Sequence, residues 1–340
     1  MSDKILLSIC ITSYNRVKEL ERCLSSIDAP IGDVEIIVSE DMSPKREDIR
    51  SMLNEFAQST EYRFAANFNE ENLGYDRNLA KLISLASGEY ILFSSDDDAF
   101  NRGKLLEVIG LLKENNPAYM FTAYSSTDTE ALNRKYNKDF CIEPSEQSLS
   151  KYLYDGILFS GLIFKAEYVK TLIDNMDRFV NTNYFQVYLL SKMLYKYEGY
   201  YARTELIKCI GDGDNGYGTT ELSKKDPLLA DRKNVFSDLR FNIGLIKVIR
   251  IFDEEEGLHE IKHFQKEYSL RSYRGLSQAR AISRKTMKQY WEKMKELDIK
   301  LCFPARIYYC VLWLFGKKIS DFIFGLPRKV LFARRRNTNG

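Results

Sequence analysis

Three consecutive carboxylates follow an apolar stretch of the chain. The stretch 89–93 reads EYILF, and 94–98 continues as Ser-Ser-Asp-Asp-Asp, ending in Asp96, Asp97 and Asp98. Carboxylates crowded at the end of a buried strand are costly unless a cation neutralises them. A hard divalent ion with oxygen ligands would do so, and such an ion commonly bridges to phosphate. The alternatives are a solvated turn or a cap on the helix predicted over 102–114, because acidic residues stabilise a helix N-terminus.

The elements around this triplet alternate between strand and helix periods. Such alternation predicts an α/β fold with a mostly parallel sheet covered by helices on both faces. Ligands of such sheets lie at the carboxyl edge of the strands, where the polar clusters 12–15, 40–43 and 94–98 would meet. The predicted strands are 5–12, 34–39, 62–65 and 89–93, and the predicted helices are 16–27, 45–58 and 75–86, the last closed by Gly88 as a left-handed C-terminal residue.

The order and spacing of these segments resemble a known family. Residues 72–98 read N-L-G-Y-D-R-N-L-A-K-L-I-S-L-A-S-G-E-Y-I-L-F-S-S-D-D-D. This stretch is similar to the N-x-G…R-N…A-x-G-E-Y-I-x-F-L-D-x-D-D signature of glycosyltransferase family 2. The start S-I-C-I-T-S-Y-N-R and the segment 34–43 also resemble that family's first strand and its V-I-V-V-D-D-G-S segment. The resemblance covers about residues 4–100 and implies a GT-A nucleotide-sugar-binding fold.

The resemblance also implies roles for individual residues. Donor-binding residues would line a pocket for a nucleotide-diphosphate sugar, and a Mn²⁺ or Mg²⁺ ion would stabilise the departing diphosphate. Thr12, Tyr14 and Arg16 would form the nucleotide wall, Asp41 or Glu40 would contact the base or ribose, Arg77 the ribose or pyrophosphate, and Asp96 and Asp98 the metal, with Asp96 also counted as donor-binding.

Two departures from the family pattern concern catalysis. Ser95 stands where the family has the first Asp of its D-x-D, so the carboxylate motif is shifted. Gln186 stands where inverting members carry the acidic base, and an amide cannot accept a proton at neutral pH. Another carboxylate would then serve, namely Asp155, Asp212 or Asp214, or the enzyme would retain configuration without such a base. The candidate catalytic residues are Asp97, Gln186 and Asp155.

The same two departures are typical of the abequosyltransferase-like branch of bacterial surface-polysaccharide enzymes. Ser160, Gly161 and Gln186 would line the acceptor side, where a small residue lets a sugar approach the backbone. Plainer alternatives remain open: Gln186 as a polar helix cap, and Ser160-Gly161 as an ordinary turn before a strand.

One competing motif points to another enzyme class. His259, Glu260 and His263 match H-E-x-x-H, which places two imidazoles on one helix face in zinc peptidases. These are the only two histidines of the chain, and the flanking segments are strongly charged, as on a solvated helix. A non-catalytic scaffold of the same fold is the other alternative, suggested by the missing base.

Composition bounds the rest. The formal charge of +2 over 340 residues does not favour a nucleic-acid partner, and six scattered cysteines without a C-x-x-C pair are typical of reduced cytosolic thiols. We expect neither a signal peptide nor a membrane span. The segment 301–340 carries eight basic residues and one acid, +7, which leaves −5 for 1–300. Its apolar and aromatic residues predict a basic amphipathic tail for an anionic membrane surface. The alternatives are packing back on the body of the protein and docking on a protein partner.

These observations give one overall hypothesis. We expect a GT-A domain over 1–210, a helical region over 211–300 and the membrane-associating tail over 301–340. The enzyme would be a metal-dependent hexosyl- or deoxyhexosyltransferase in capsule or lipopolysaccharide O-antigen synthesis, with a lipid-linked or oligosaccharide acceptor. It would lie in the cytoplasm, peripherally on the inner membrane.

Overall fold

A computed structural model describes residues 5–126, 136–210, 229, 234–297 and 299–338 of the chain. The side chains of 126, 155, 237, 238, 240, 241 and 325–338 lie outside the described part as well. The chain folds as two compact units, Met1–Tyr217 and Gly218–Gly340.

A mixed sheet forms the centre of the first unit. Its strands, within the described residues, are β1 Leu7–Ser13, β2 Val34–Glu40, β3 Arg63–Phe68, β4 Tyr90–Ser95, β5 Ala99–Phe100, β6 Tyr119–Ser126, β7 Phe140–Ile142, β8 Leu162–Lys165 and β9 Gly199–Cys209. The spatial order is β3-β2-β1-β4-β8-β6-β9-β5, and β7 pairs with β9. The pairs among β1, β2, β3 and β4 are parallel, whereas β8 runs antiparallel to both β4 and β6.

Helices connect and cover these strands. The α-helices of the first unit are α1 Val17–Ser25, α2 Arg46–Ser59, α3 Gly74–Leu85, α4 Lys104–Asn115, α5 Glu146–Tyr152, α6 Ala166–Val169 and α7 Phe185–Lys196. Short 3₁₀ segments lie at Ile31–Asp33, Leu153–Ile157 and Lys170–Phe179. The apolar residues of α1 recur at helical spacing, so that Leu20, Cys23 and Leu24 are buried on one face. The predicted α/β fold class is confirmed.

The core lies on both faces of the parallel strands. Every residue of β1 and β2 is buried, as a continuous apolar run in a parallel sheet requires. Leu7, Ile9 and Ile11 of β1 pack in one cluster with Val34, Ile36 and other buried side chains. This packing fixes the strand ends, and the strand ends carry the polar clusters.

The described part of the second unit is helical. Its helices are α8 Ser237–Glu256, α9 Glu260–Arg271, α10 Tyr273–Ile282, α11 Arg284–Glu296 and α12 Phe303–Thr338. The backbone of α12 is broken at Gly316, whose φ of 74° and ψ of 176° are not helical. None of the described helices is long and apolar enough to cross a membrane.

Candidate functional site

The strand register brings three polar clusters to one edge of the sheet. In the β1–β2 pair, Ser13 lies opposite Glu40, and in the β1–β4 pair, Thr12 lies opposite Ser95. The Asp41 N–H donates to the Ser13 carbonyl oxygen over 3.1 Å. The ends of β1, β2 and β4 therefore lie side by side, at the carboxyl edge predicted from the sequence.

The carboxylate triplet forms the turn between β4 and β5. Helix α4 begins at Lys104 and its N-cap residue is Gly103, so the triplet does not cap it. The capping alternative is therefore wrong. The three carboxylates instead directly follow the last residue of the buried strand β4.

The structure gives Asp96 a cationic partner. Arg16 Nη1 donates to Asp96 Oδ1 over 2.6 Å, and the Tyr14 N–H donates to Asp96 Oδ2 over 3.2 Å. Both side chains of the ion pair are buried, at 6% and 1% exposure. Thr12, Tyr14 and Arg16 thus lie beside the triplet, and Arg16 bonds directly to it. Their role in a nucleotide wall stays a prediction.

The other two carboxylates have different surroundings. Asp97 Oδ2 lies 3.1 Å from Arg16 Nη1, and its Oδ1 accepts a 2.5 Å bond from the Ser95 hydroxyl. At 16% exposure, Asp97 is more accessible than buried Asp96. Asp98 is also buried; its Oδ2 accepts from the Ser160 hydroxyl over 2.6 Å, and its Oδ1 accepts from the Ile210 N–H over 3.3 Å.

Burial dominates the electrostatics of the triplet. It raises the pKa of Asp96 to about 7, even though the Arg16 guanidinium and the Tyr14 N–H act in the opposite direction. It also raises the pKa of Asp98 to about 6, against the bond from Ser160, and the Asp97 charge adds to the rise. One guanidinium does not fully compensate the negative charge that this turn concentrates.

The donor set suits a hard divalent cation. Asp97 presents a partly exposed carboxylate, with Asp96 and Asp98 adjacent in the chain. No group of three or more His, Cys, Asp or Glu side chains within the described residues is arranged as a complete metal site. Mg²⁺-type ions are commonly held by one or two carboxylates together with substrate phosphates, and the triplet fits that arrangement.

Glu40 and Asp41 are buried, and backbone N–H groups surround them. Glu40 accepts from the Met42 and Ser43 N–H groups over 3.1 and 2.7 Å. Asp41 accepts from the Leu73 and Gly74 N–H groups over 2.8 and 2.9 Å, and burial raises its pKa. In this conformation Asp41 holds the start of α3 against the end of β2.

Polar atoms without partners lie at the ends of β1 and β2. Within the described part of the chain, the hydroxyl oxygens of Ser13 and Ser43 and the amide oxygen of Asn15 are buried with no hydrogen-bond partner. Buried polar atoms normally find partners, so such atoms indicate where a bound molecule would supply them. The family motif did not single out these three residues, although all three lie inside the predicted polar clusters 12–15 and 40–43.

Ser160 and Gly161 lie directly beside the triplet. The Ser160 hydroxyl accepts from the Ser95 N–H over 3.0 Å and donates to Asp98. Gly161 has a φ of 90°, and a Cβ on it would lie 2.6 Å from the Thr122 hydroxyl oxygen. Only glycine fits there without strain. The contact that requires it is with Thr122, so the expectation that an acceptor sugar approaches here stays a prediction.

Gln186 lies in the first turn of α7 and is 3% exposed. Its Oε1 has no hydrogen-bond partner among the described residues, and the N-cap Tyr184 makes no side-chain capping bond. The helix-cap interpretation of Gln186 is therefore wrong. The segment that carries Asp155 packs on the same helix, since a Cβ on Gly156 would lie 1.9 Å from Leu190 Cδ2.

The other candidate bases cannot be placed. The side chain of Asp155 falls outside the described part of the chain, and Asp212 and Asp214 lie outside the described residues altogether.

Asp76 is a residue that the sequence reasoning missed. It is almost fully buried in α3 and accepts from the Thr182, Asn183 and Phe185 N–H groups over 2.9 to 3.1 Å, and from the Thr182 hydroxyl. Phe185 is the first residue of α7, where the N–H groups have no partner within the helix, and Thr182 and Asn183 lie in the loop just before it. A carboxylate in the first turn of a helix would ordinarily be attributed to that helix's own dipole, so the pattern gave no signal for this long-range role.

The remaining candidates lie elsewhere. Arg77 is half exposed and pairs with Asp177, with Arg77 Nη2 and Asp177 Oδ1 2.9 Å apart. His259 precedes α9 as its N-cap residue, and Glu260 is buried with its N–H donating to Asp253. A zinc peptidase motif needs both histidines on one helix, with the glutamate between them. His259 lies before the first residue of α9, so the motif is not formed on a single helix.

A comparison with family models decides the assignment. Residues 8–173 match the model of Glycosyl transferase family 2. These residues are a family 2 glycosyltransferase domain. The match covers β1 to β4, the triplet, and Ser160-Gly161, so the resemblance on which the sequence analysis relied is confirmed.

Two curated relatives are also glycosyltransferases. The chain is 27% identical over 236 residues to the abequosyltransferase RfbV of Salmonella typhimurium, covering 62% of this chain and 68% of the relative. It is 25% identical over 305 residues to the GalNAc(5)-diNAcBac-PP-undecaprenol beta-1,3-glucosyltransferase of Campylobacter jejuni, covering 88% and 91%. The chain is thus similar to two bacterial sugar transferases.

A solved structure shares the fold. The mannosyltransferase PcManGT from Pyrobaculum calidifontis, in complex with GDP-Man and Mn²⁺, superposes with a TM-score of 0.51 at 13% identity, covering 97% of this chain and 86% of that one. The GT-A fold that the sequence resemblance implies is thereby confirmed.

Proposed function

We propose that this chain transfers a sugar from a nucleotide-diphosphate donor to a lipid-linked or oligosaccharide acceptor in bacterial surface-polysaccharide synthesis. One observation carries the proposal: within a family 2 domain, the ends of β1, β2 and β4 bring an ion-paired carboxylate triplet next to unpartnered Ser13 and Ser43 hydroxyls. The nucleotide would supply the missing hydrogen bonds, and the diphosphate would lie against the triplet.

Each residue at this edge has a task in the proposed reaction. Thr12, Tyr14 and Arg16 form the donor wall, and Arg16 supplies a cation beside the position of the leaving diphosphate. Asp41 and Glu40 shape the loops around the proposed position of the base and ribose, because their hydrogen bonds hold the chain that follows β2 in place. Ser160 orients Asp98, and Gly161 leaves room beside it.

We assign a Mn²⁺ or Mg²⁺ ion to the triplet. Asp97 would be its most accessible ligand, with Asp96 or Asp98 adjacent. The ion supplies Lewis-acid stabilisation of the departing nucleoside diphosphate. The complex of PcManGT with GDP-Man and Mn²⁺ supports a metal in the same fold.

Gln186 has the chemistry of an acceptor-binding residue. Its unpartnered Oε1 can accept a hydrogen bond from the acceptor hydroxyl, although an amide cannot take the proton. Asp155, on the turn packed against α7, stays the candidate for that proton. The name of the Campylobacter relative includes a polyprenyl diphosphate, which supports a lipid-linked acceptor and peripheral attachment at the cytoplasmic face of the inner membrane.

Calorimetric titration tests the proposal. UDP, CDP, GDP and dTDP are each titrated into the full chain with and without Mn²⁺. We expect one nucleotide to bind, and to bind more tightly with metal. Binding of none of the four under either condition would overturn the proposal. The Asp98→Ala variant separates an enzyme from a scaffold, because it should abolish sugar transfer in the enzyme.

A further inference from the structure

The last helix presents large apolar side chains to solvent. In the first half of α12, Phe303, Ile307 and Leu314 are 73%, 39% and 65% exposed, and they recur at i, i+4 and i+11 on one helix face. Ala305 and Leu312 are fully buried on the other face. The helix is therefore anchored through small and medium side chains while its larger ones remain uncovered.

The second half of α12 repeats this arrangement. Its exposed apolar residues again share one helix face, whereas Ser320 is fully buried and donates to the Gly316 carbonyl. The exposed residues of this half are Ile319, Phe322 and Ile323, and exposed Phe315 is the last residue before the break. Below, "the apolar rows" means these four together with Phe303, Ile307 and Leu314.

The break at Gly316 has a consequence for the two halves. At about 100° per residue, an unbroken helix would turn the two apolar rows roughly 130° apart. Gly316 has a φ of 74° and a ψ of 176°, a region essentially confined to glycine. Because of this break, the direction in which the second row points is not fixed by the direction of the first row.

Cations accompany the apolar rows. Arg306 and Lys318 are exposed within them. Asp321, the sole acid in 301–340, is engaged by Lys317, and the Tyr273 hydroxyl donates to its Oδ1 over 2.6 Å. The described surface of α12 thus combines large apolar side chains with cations, and its one carboxylate is already compensated.

From this combination we propose that α12 is the surface by which the chain docks on a membrane containing anionic lipid. The apolar rows would enter the boundary between headgroups and acyl chains, and Arg306 and Lys318 would contact the phosphates. A second copy of the chain fits less well, because pairing the rows would bring like charges together. The inference deepens the proposed function, on which it rests for its purpose of bringing the active domain to a lipid-linked acceptor.

Vesicle sedimentation of the full chain tests the surface. The vesicles are phosphatidylcholine alone or phosphatidylcholine with phosphatidylglycerol. The apolar variant is Phe315→Ser/Phe322→Ser, and its matched control is Leu85→Ser/Leu106→Ser, which removes exposed apolar side chains of α3 and α4. The charge variant is Arg306→Glu/Lys318→Glu. Circular dichroism and thermal melting check that all variants fold as the wild type does.

We expect the wild type and the control to bind the anionic vesicles equally. The apolar variant should bind about tenfold more weakly or worse, since each removed side chain contributes apolar burial. The charge variant should lose the preference for phosphatidylglycerol. If the wild type ignores both vesicles, or if the apolar variant binds as well as the control, the inference is wrong.

Two further measurements separate the alternatives. Sedimentation velocity that finds a dimer dissociated by the apolar variant, without vesicle binding, would assign the rows to a second copy and overturn the membrane surface. Nucleotide titration on the same preparations distinguishes the two proposals. Normal nucleotide binding without vesicle binding removes only the membrane surface, and vesicle binding without nucleotide binding removes only the transferase.

Discussion

At the residue scale, Asp97 differs from its two neighbours. Asp96 is committed to Arg16 and the Tyr14 N–H, and Asp98 to Ser160 and the Ile210 N–H. Asp97 retains partial exposure and is the carboxylate that a cation from solvent reaches most directly. The sequence places three identical side chains in a row, and only the fold distinguishes their accessibility.

Asp97→Asn tests this difference. Asparagine keeps an oxygen for the Ser95 hydroxyl but removes the charge, so we expect the Mn²⁺-dependent gain in nucleotide affinity to fall at least about tenfold. Sugar transfer should fall further, because the leaving diphosphate loses electrostatic stabilisation. Titration calorimetry measures the first effect. Asp28→Asn, at an exposed position, is the control, and an unchanged metal dependence in Asp97→Asn would exclude Asp97 as a ligand.

In the proposed reaction, Gln186 lowers the folding stability of the chain and contributes a contact to the acceptor. A buried amide oxygen without a partner costs about 1–3 kcal/mol, and leucine of similar volume removes that cost. We expect Gln186→Leu to unfold at the same free energy as wild type or about 1 kcal/mol higher. Transfer to the acceptor should fall roughly ten- to a hundredfold, since the hydroxyl loses its positioning contact. Chemical denaturation and initial rates measure the two effects.

Controls make this prediction specific. Gln265→Leu removes a buried amide of α9 in the second unit and should leave the rate unchanged. The nucleotide dissociation constant of Gln186→Leu should equal that of wild type. A rate loss that follows a loss of nucleotide affinity would contradict the acceptor role.

At the element scale, Asp76 joins two helices that are far apart in the chain. It lies in the first turn of α3, and its carboxylate receives N–H groups at and just before the start of α7. Gln186 follows one residue after Phe185, the last of these donors. The start of α7 is therefore held in place by α3, and Asp41 in turn holds the start of α3.

Asp76 should give the folding stability a measurable pH dependence. Burial raises its pKa from 3.8 to about 6, against four hydrogen bonds to its oxygens. The native state then binds more protons than the unfolded state between these values, so the contribution of Asp76 to stability is present below pH 4 and falls as the pH rises to 6. The loss amounts to roughly 3 kcal/mol.

Comparing the wild type with Asp76→Asn isolates the contribution of Asp76 to the pH dependence of the folding stability. Other groups titrate alike in both proteins, so the difference in unfolding free energy, wild type minus variant, should decrease between pH 4 and 6 and stay constant above. Urea unfolding at several pH values measures it. A difference that grows over this range would mean that the hydrogen bonds outweigh burial and that the pKa of Asp76 is lowered.

Local patterns predicted the first hundred residues well. The strand predicted over 34–39 is found at Val34–Glu40, and the helix predicted over 45–58 at Arg46–Ser59. In both, the period of the apolar residues is a local property that burial then reinforces. Gly88 is different: α3 ends at Leu85, and a Cβ on Gly88 would lie 2.7 Å from the Ser8 backbone N. The glycine serves a close approach to β1, not the helix end that the sequence predicted.

Contacts between residues far apart in the chain could not be predicted from the sequence. The insertion of antiparallel β8 between β4 and β6 depends on pairing across many residues. The Arg16–Asp96 ion pair joins residues 80 positions apart. A motif names which residue types gather at the edge, but which carboxylate takes the guanidinium is decided by packing around each side chain.

At the scale of the whole molecule, the residues of the proposed chemistry and those of the proposed membrane surface lie in different units. The family 2 match and the triplet lie in the first unit, and the exposed apolar rows lie in the second. The formal charge is also uneven along the chain, with +7 in residues 301–340, inside the second unit, and −5 in residues 1–300. A basic end concentrates the protein at an anionic surface, whereas an acidic body does not bind there by itself.

This division predicts that the rate depends on how the acceptor is presented. Docking confines enzyme and lipid-linked acceptor to one surface, which raises the effective concentration of the acceptor. With the acceptor embedded in anionic vesicles, Arg306→Glu/Lys318→Glu should lower kcat/KM about tenfold or more. With a water-soluble analogue of the same acceptor, the variant should match the wild type, because the triplet and Gln186 are untouched. Equal losses on both acceptors would show that the substitutions disturb the enzyme itself, and no loss on either would show that α12 does not deliver the active domain to its acceptor.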